Sequence, residues 1–457
     1  MRTNANAATE LLNHYQEAFA QIDAHAGRDP KWLRDLRRSS FARFYEVGFP
    51  TTHDEDWRFT NVSPISQTPF RTSRDDGSSR VTTQHVTQFP MQNAACHLVF
   101  INARLRGNLS SFDMPPHGVK VSSVAEEVRR GGIELEQHLG RYLDQQRDSF
   151  AALNTAFLED GAYVHIERGV VLDRPIHLVF ISLPGSEPTM IQPRNLILAD
   201  EASQAEIVEE YVSLGGGKAF CNAVTELVAG ESSIVSHCMI EREHTDAFNI
   251  STLRIQQGRS SRVGSHSLLL GGALVRNNVH AMIEGEGAEC LINGLFLGTD
   301  RQHMDNYMLV EHAMPHGASR QFYNGILNQH AHGVFHGRII VHKNAQRTDA
   351  KQTNRNLLLS DDAQIDTKPQ LEIHADDVKC THGATIGQLQ EDALFYLQSR
   401  GLDEGSARKL LLLAFAGECL ERVENTATRA HAENLIKNWM ERLGEDCKRR
   451  DLENDAK

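Results

Sequence analysis

Cysteine, basic charge and long apolar runs are all in short supply along these 457 residues. The seven cysteines are odd in number and scattered, so they do not form the disulfide framework on which small secreted domains depend. No stretch nears the roughly 20 apolar residues that a bilayer-crossing helix requires. The densest run, Leu410 to Phe415, is far too short. The opening MRTNANAATELLNHY has no basic patch followed by an apolar block, so no secretory signal is read there and a cytoplasmic location is expected. Lys and Arg total 47 against 60 for Asp and Glu, a net charge of −13, with no basic stripe. Nucleic acid and anionic membranes are therefore poor partners. What the chain does have is 40% hydrophobic and 23% charged residues, enough for a sizeable core.

Three regions follow from the patterning. Residues 1–93 read as a helical region and linker. Leu11, Leu12, Tyr15, Phe19 and Ile22 recur at helical spacing, and Pro30 opens a second segment bearing Trp32, Leu33, Leu36, Phe41 and Phe44. The polar stretch 66–85 reads as a loop. Across residues 94–385 the pattern changes to short β-rich runs such as HLVFINA, IHLVFISL and AEIVEEYVSL, with no long helices between them. Polar-small turn phrases around Asp200, Gly230, Gly258, Glu286, Gly317 and Asn344 recur at intervals of 27 to 31 residues. An antiparallel sandwich would alternate in the same way, but a shared phrase at near-constant spacing favours stacked coils, a parallel β-helix. Residues 386–457 return to helices. Gly401 suits a C-terminal cap and Asp403 an N-cap, and Ala407, Leu410, Leu411, Ala414 and Phe415 line one side of the helix that follows.

The most informative chemistry lies in Asp376-Asp377-Val378-Lys379-Cys380-Thr381-His382-Gly383-Ala384-Thr385. If this stretch is extended, Cys380 and His382 share a face about 7 Å apart, while Lys379 and Thr381 take the other. A thiol and an imidazole so placed can hold a soft metal or a cluster, yet such sites generally need four ligands. The plainer reading is a buried cysteine beside a hydrogen-bonded histidine. Histidines, 23 in all, cluster at His303, His312, His316, His330, His332, His336 and His342 without any HExxH motif. Surface or stacked structural roles are expected of them. Asp361, Asp362 and Asp366 read as turn carboxylates more readily than as calcium ligands. The run Gly215-Gly216-Gly217-Lys218 lacks phosphate-loop spacing. Cys96, Cys221, Cys238, Cys290, Cys419 and Cys447 read as small buried hydrophobes.

Longer phrases carry a resemblance. Phe335-His336-Gly337-Arg338, Ala345-Gln346-Arg347-Thr348-Asp349-Ala350 and Gln352-Thr353-Asn354-Arg355-Asn356-Leu357-Leu358-Leu359-Ser360 lead into Thr367-Lys368-Pro369-Gln370-Leu371-Glu372-Ile373 and the Cys380–His382 phrase. Leu394-Phe395-Tyr396-Leu397 follows, and Glu55-Asp56-Trp57-Arg58-Phe59-Thr60-Asn61 stands upstream. This text resembles the SufB/SufD family of iron–sulfur cluster assembly proteins, most closely on its SufD side. The CxxCxxxC phrase typical of SufB is absent. The resemblance implies a right-handed parallel β-helix between N- and C-terminal helical segments, acting as an assembly scaffold without enzyme activity of its own. It implies pairing with SufB, a homodimer when alone, and two copies of the ATPase SufC on the C-terminal helices, here mapped to Leu410, Leu411, Ala414 and Phe415. A transient iron–sulfur cluster would form at the SufB interface, with His382 as candidate ligand and Cys380 beside it. The resemblance also allows a flavin in the family's complex, but no flavin motif is present. Two other readings stand beside this one: a stand-alone histidine metalloenzyme and a pure scaffold homodimer.

Overall fold

Short strands that alternate apolar and polar residues cannot bury their faces or pair their edges within one coil of about 30 residues, so coil must stack on coil. The computed structural model, which describes residues 2–73, 81–89, 91–112, 117–143 and 148–455, shows that outcome as a parallel β-solenoid of about eight turns. One sheet stacks strands Arg194–Ala199, Ala219–Ala229, Phe248–Gln257, Leu274–Ile283, His303–His312, His332–Val341 and Gln364–Ile373. The other stacks Ile176–Ser182, Gln204–Ser213, Ile234–Arg242, Arg262–Leu269, Glu289–Gly298, Ala318–Leu327, Asp349–Leu358 and Lys379–Gly387. From Gln204 to Lys379 the parallel register advances by 30, 28, 27, 29, 31 and 30 residues. The spacing of the turn phrases is therefore the rise of one coil, and the parallel pairing removes the sandwich alternative.

The turns explain why the period holds. At this corner one residue per coil takes the left-handed conformation: Ala202 (φ 56°), Ser232 (58°), Ser260 (53°), Gly287 (69°), His316 (62°) and Arg347 (60°). Its N–H donates to a turn carbonyl of the next coil, on Glu231, Arg259, Glu286, Pro315, Gln346 and Asp377 respectively. A left-handed φ costs a non-glycine residue roughly 1–2 kcal/mol. The inter-coil bond offsets part of that and spares the N–H from being stranded.

Apolar side chains from both sheets fill the lumen, from Leu98 and Phe100 at the first coil to Phe335, Ile339 and Ala375 near the last. Helices Arg2–His25, Lys31–Val47 and Ser149–Ala156 pack over the outer face of the first sheet, against Phe220, Phe248 and Leu274. The tryptophan phrase is pinned there too. Trp57 lies over the Arg276 guanidinium at 3.7 Å, Arg276 pairs with the buried Asp305, and the Thr60 hydroxyl donates to Asp305 at 2.5 Å. Helices Glu404–Leu420 and Thr426–Asp455 cover the outer face of the second sheet, over Val208, Ile240, Leu268, Leu295 and Ile326. Short helices at Val124–Arg130 and Ile133–His138 interrupt the β-rich text. Elements of 7 and 6 residues are too brief to show a helical period in sequence.

The two ends of the stack differ. At the N-terminal end, strand Val119–Ser123 adds antiparallel to Ala162–Ile166, and the two-residue strands Arg104–Leu105 and Ser111–Phe112 blunt the other sheet. At the C-terminal end, strands of 10 and 9 residues, Gln364–Ile373 and Lys379–Gly387, end their sheets in parallel pairing. Long terminal edges of that kind invite another strand.

Candidate functional site

Strand Lys379–Gly387 bears the Cys-x-His pair. In its sheet it adjoins Asp349–Leu358 and lies at the end of the strand order. The register sets Cys380 opposite Ala350 and His382 opposite Gln352, both buried inside the solenoid. Side-chain alternation therefore turns Cys380 and His382 towards the lumen at its open end, while Lys379 and Thr381 leave on the other face. Cys380 packs partly against the interior cluster, whereas His382 is exposed. Burial raises the Cys380 thiol pKa and the Asp349 charge adds to this, against a lowering contact from the Ala350 N–H. The thiol thus keeps its proton until a metal or an added positive charge draws it off.

Beneath the pair the lumen is polar. Gln352 donates from Nε2 to Gln321 Oε1 at 2.7 Å, and the remaining Gln352 Oε1 and Gln321 Nε2 are buried without a protein partner. Asn354 and Asn356 bond to each other one pleat along. One thiol and one imidazole could supply two ligands, short of the four that close an iron–sulfur or structural zinc site. Strand geometry also leaves main-chain groups unused. Lys379 N–H donates inward to Thr348 O at 2.8 Å, so the N–H groups of Cys380, His382, Ala384 and Ile386 face the open edge.

Most of the clustered histidines are settled by partners of their own. His303 contacts the Thr60 hydroxyl at 2.9 Å, His332 meets Asp366 at 2.8 Å, His336 meets Gln370 at 2.8 Å, and His342 meets Glu311 at 3.1 Å. His312 contacts the Ser319 hydroxyl at 2.8 Å, and burial lowers its pKa to about 4. His330 falls in a turn, so it does not share the strand face of His332 and His336. Most of these partners lie about 30 residues away on the next coil, a distance no local motif reveals. Asp362 and Asp366 each face a histidine instead of converging with Asp361. The Gly215–Gly217 run is a turn between two strands. Cys96, Cys221, Cys238, Cys290 and Cys419 are buried free thiols, and burial raises Cys290 and Cys419 to about 12. Cys447 lies where side chains are not described.

The C-terminal helices present two faces. Ala407, Leu412, Ala416, Cys419 and Leu420 are the buried residues of helix Glu404–Leu420, and four of them pack on the solenoid. Leu410 and Ala414 are exposed, and Leu411 and Phe415 are half-buried. Helix Glu391–Ser399 buries no residue and exposes Phe395 (72%) and Tyr396 (56%), a pair of aromatics beyond the four positions read from the sequence.

Family comparisons fit this architecture. Residues 181–415 match the SufBD core domain of the SUF iron–sulfur cluster assembly system, and residues 5–178 match the SufBD N-terminal region. A SufBD family iron–sulfur cluster assembly protein of Synechocystis is 34% identical over 433 residues, covering 92% of this chain and 95% of the relative. The iron–sulfur cluster assembly protein SufD of Escherichia coli is 27% identical, covering 92% and 94%. The chloroplastic protein ABCI7 of Arabidopsis thaliana is 29% identical, covering 89% and 86%. With the core model spanning more than half its length, this chain belongs to the SufBD family of iron–sulfur cluster assembly proteins.

Proposed function

We propose that this chain is the SufD-type scaffold subunit of a complex with SufB and SufC, and that it performs no catalysis itself. The observation that carries this reading is the incomplete site at an unfinished end. A thiol and an imidazole stand at the mouth of a solenoid whose last strands offer unpaired edges. A second β-solenoid added to those edges would supply the missing ligands and continue the ladder. The iron–sulfur cluster is then cargo, assembled between the subunits with His382 as a ligand and Cys380 lining or joining the site. The exposed side of the C-terminal helices, with Leu410, Leu411, Ala414 and Phe415, is the surface for the ATPase SufC. ATP-driven movement of those helices would be passed on by a stack in which each coil bonds to the next. Without SufB, the same edges favour pairing of two copies of this chain.

The decisive test is His382→Ala in the co-expressed complex. It should assemble with SufB and SufC yet yield no cluster on reconstitution, read by absorbance and acid-labile sulfide. A normal cluster yield would end the ligand assignment.

A further inference from the structure

We propose a second metal site, distinct from the cluster site, in which His177, Glu210 and His431 bind one zinc-class divalent cation and fasten the C-terminal helix to the solenoid. Among the described residues these three form the one convergent group of potential ligands, with all ligand atoms within 4.8 Å of one another. His177 Nε2 lies 2.9 Å and His431 Nε2 3.1 Å from the same oxygen, Glu210 Oε2. A tetrahedral ion with bonds of about 2.0–2.1 Å places its ligands roughly 3.3 Å apart, so a small outward shift of the two imidazoles would admit it. His177 and Glu210 are fully buried, on strands Ile176–Ser182 and Gln204–Ser213, and His431 arrives from helix Thr426–Asp455.

The surroundings are those of an oriented metal site. Arg242 Nε donates at 2.5 Å to Glu210 Oε1, leaving Oε2 as the oxygen that both imidazoles approach. On the far side of the His177 ring, Nδ1 lies 3.0 Å from His97 Nδ1 and accepts a longer bond, 3.4 Å, from the Met91 N–H. Moving the His177 proton to Nδ1, against His97, exchanges the long Met91 bond for one to His97 and frees Nε2 as a lone pair aimed at the cation. Groups that hold the outer nitrogen of a ligating histidine and the second oxygen of a ligating carboxylate fix ligand orientation. Two imidazoles and one carboxylate suit zinc or a similar first-row ion and do not suit calcium or magnesium. An open fourth position would be taken by water. No motif announces the site, because its members are 33 and 221 residues apart in sequence.

The test uses untagged full-length protein, stripped with a chelator and titrated with Co²⁺ and Zn²⁺. Wild type should take up one equivalent, with a cobalt ligand-field spectrum and a zinc-dependent rise in Tm. His431→Ala, which removes the most accessible ligand, should stay folded by circular dichroism and bind at least ~100-fold more weakly, since even outer-shell changes cost 10–100-fold. Glu210→Gln keeps the side-chain shape and should lose the ion as well. His342→Ala, a histidine beside Glu311 on the other sheet, should bind like wild type. The proposal fails if folded wild type binds no stoichiometric ion, or if His431→Ala or Glu210→Gln retains wild-type affinity.

Discussion

At the scale of single residues, the buried carboxylates at the end of strand Ile234–Arg242 set an unusual pH response. Glu241 accepts the Glu243 N–H at 2.8 Å and the Gly271 N–H at 3.1 Å, while Glu243 accepts Asn249 Nδ2 at 2.8 Å and meets the Ser182 hydroxyl. Burial raises both pKa values, and the Glu243 charge raises that of Glu241 further, to about 8 for Glu241 and about 7 for Glu243. Free glutamate titrates near ~4.3, so over the window between these values the folded chain holds protons that the unfolded chain has released. The contribution is fully present below the ordinary carboxylate pKa and is lost as pH rises towards the raised values. The urea midpoint should therefore fall from pH 5 to pH 8, opposite to the trend of a salt-bridged carboxylate. Glu243→Gln should shrink that slope, and an unchanged slope would show that the pair is not protonated together. None of this is legible in the sequence, where Glu-Arg-Glu reads as an ordinary solvated strand end.

At the scale of elements, the turn ladder makes a sharp prediction. Ala202 is exposed and holds a φ of 56° while its N–H bonds to Glu231 of the next coil. A β-branched side chain is strained in that region. Ala202→Val should lower stability, measured by urea unfolding, whereas Ala202→Gly should raise it by up to about 1–2 kcal/mol, the left-handed cost that alanine already carries. Equal effects of the two substitutions would mean that the turn can adopt another conformation. This ladder is also why the fold was readable. Turn residues recur because each coil repeats the same backbone geometry, so the spacing of Asp200, Gly230 and Gly258 reported the rise of the solenoid. The sharing of one face by Cys380 and His382 was readable for a similar reason, the two-residue period of a strand. That this face points into the lumen was not, because the inward side is fixed by Ala350 and Gln352 one coil earlier. On helix Glu404–Leu420 the leucines surround the axis, so periodicity could not separate the solenoid-facing Leu412 and Ala416 from the exposed Leu410 and Ala414.

At the scale of the whole molecule, the contrast between covered faces and an uncovered end decides how the chain meets partners. The C-terminal helices bury an apolar strip running from Val208 to Ile326, so removing everything after residue 402 would strip the body as well as the proposed docking surface. Substitutions must therefore replace truncation in any mapping of contacts. The open end permits such a probe. Ala384 lies in the terminal strand, its N–H faces away from Asp349–Leu358, and its side chain is exposed. Proline is tolerated on an edge strand where the missing N–H had no partner, and it blocks the addition of a further strand there. Ala384→Pro should leave the isolated chain folded with an unchanged far-ultraviolet spectrum. It should abolish the self-association expected of the wild type in light scattering and weaken capture of SufB in co-purification. Because His382 and Cys380 stay in place, any loss of cluster yield in this variant would come from failed pairing and not from a missing ligand. If Ala384→Pro paired as well as the wild type, the subunits would have to meet through some surface other than these edges, and the cage of shared ligands at the lumen mouth could not form.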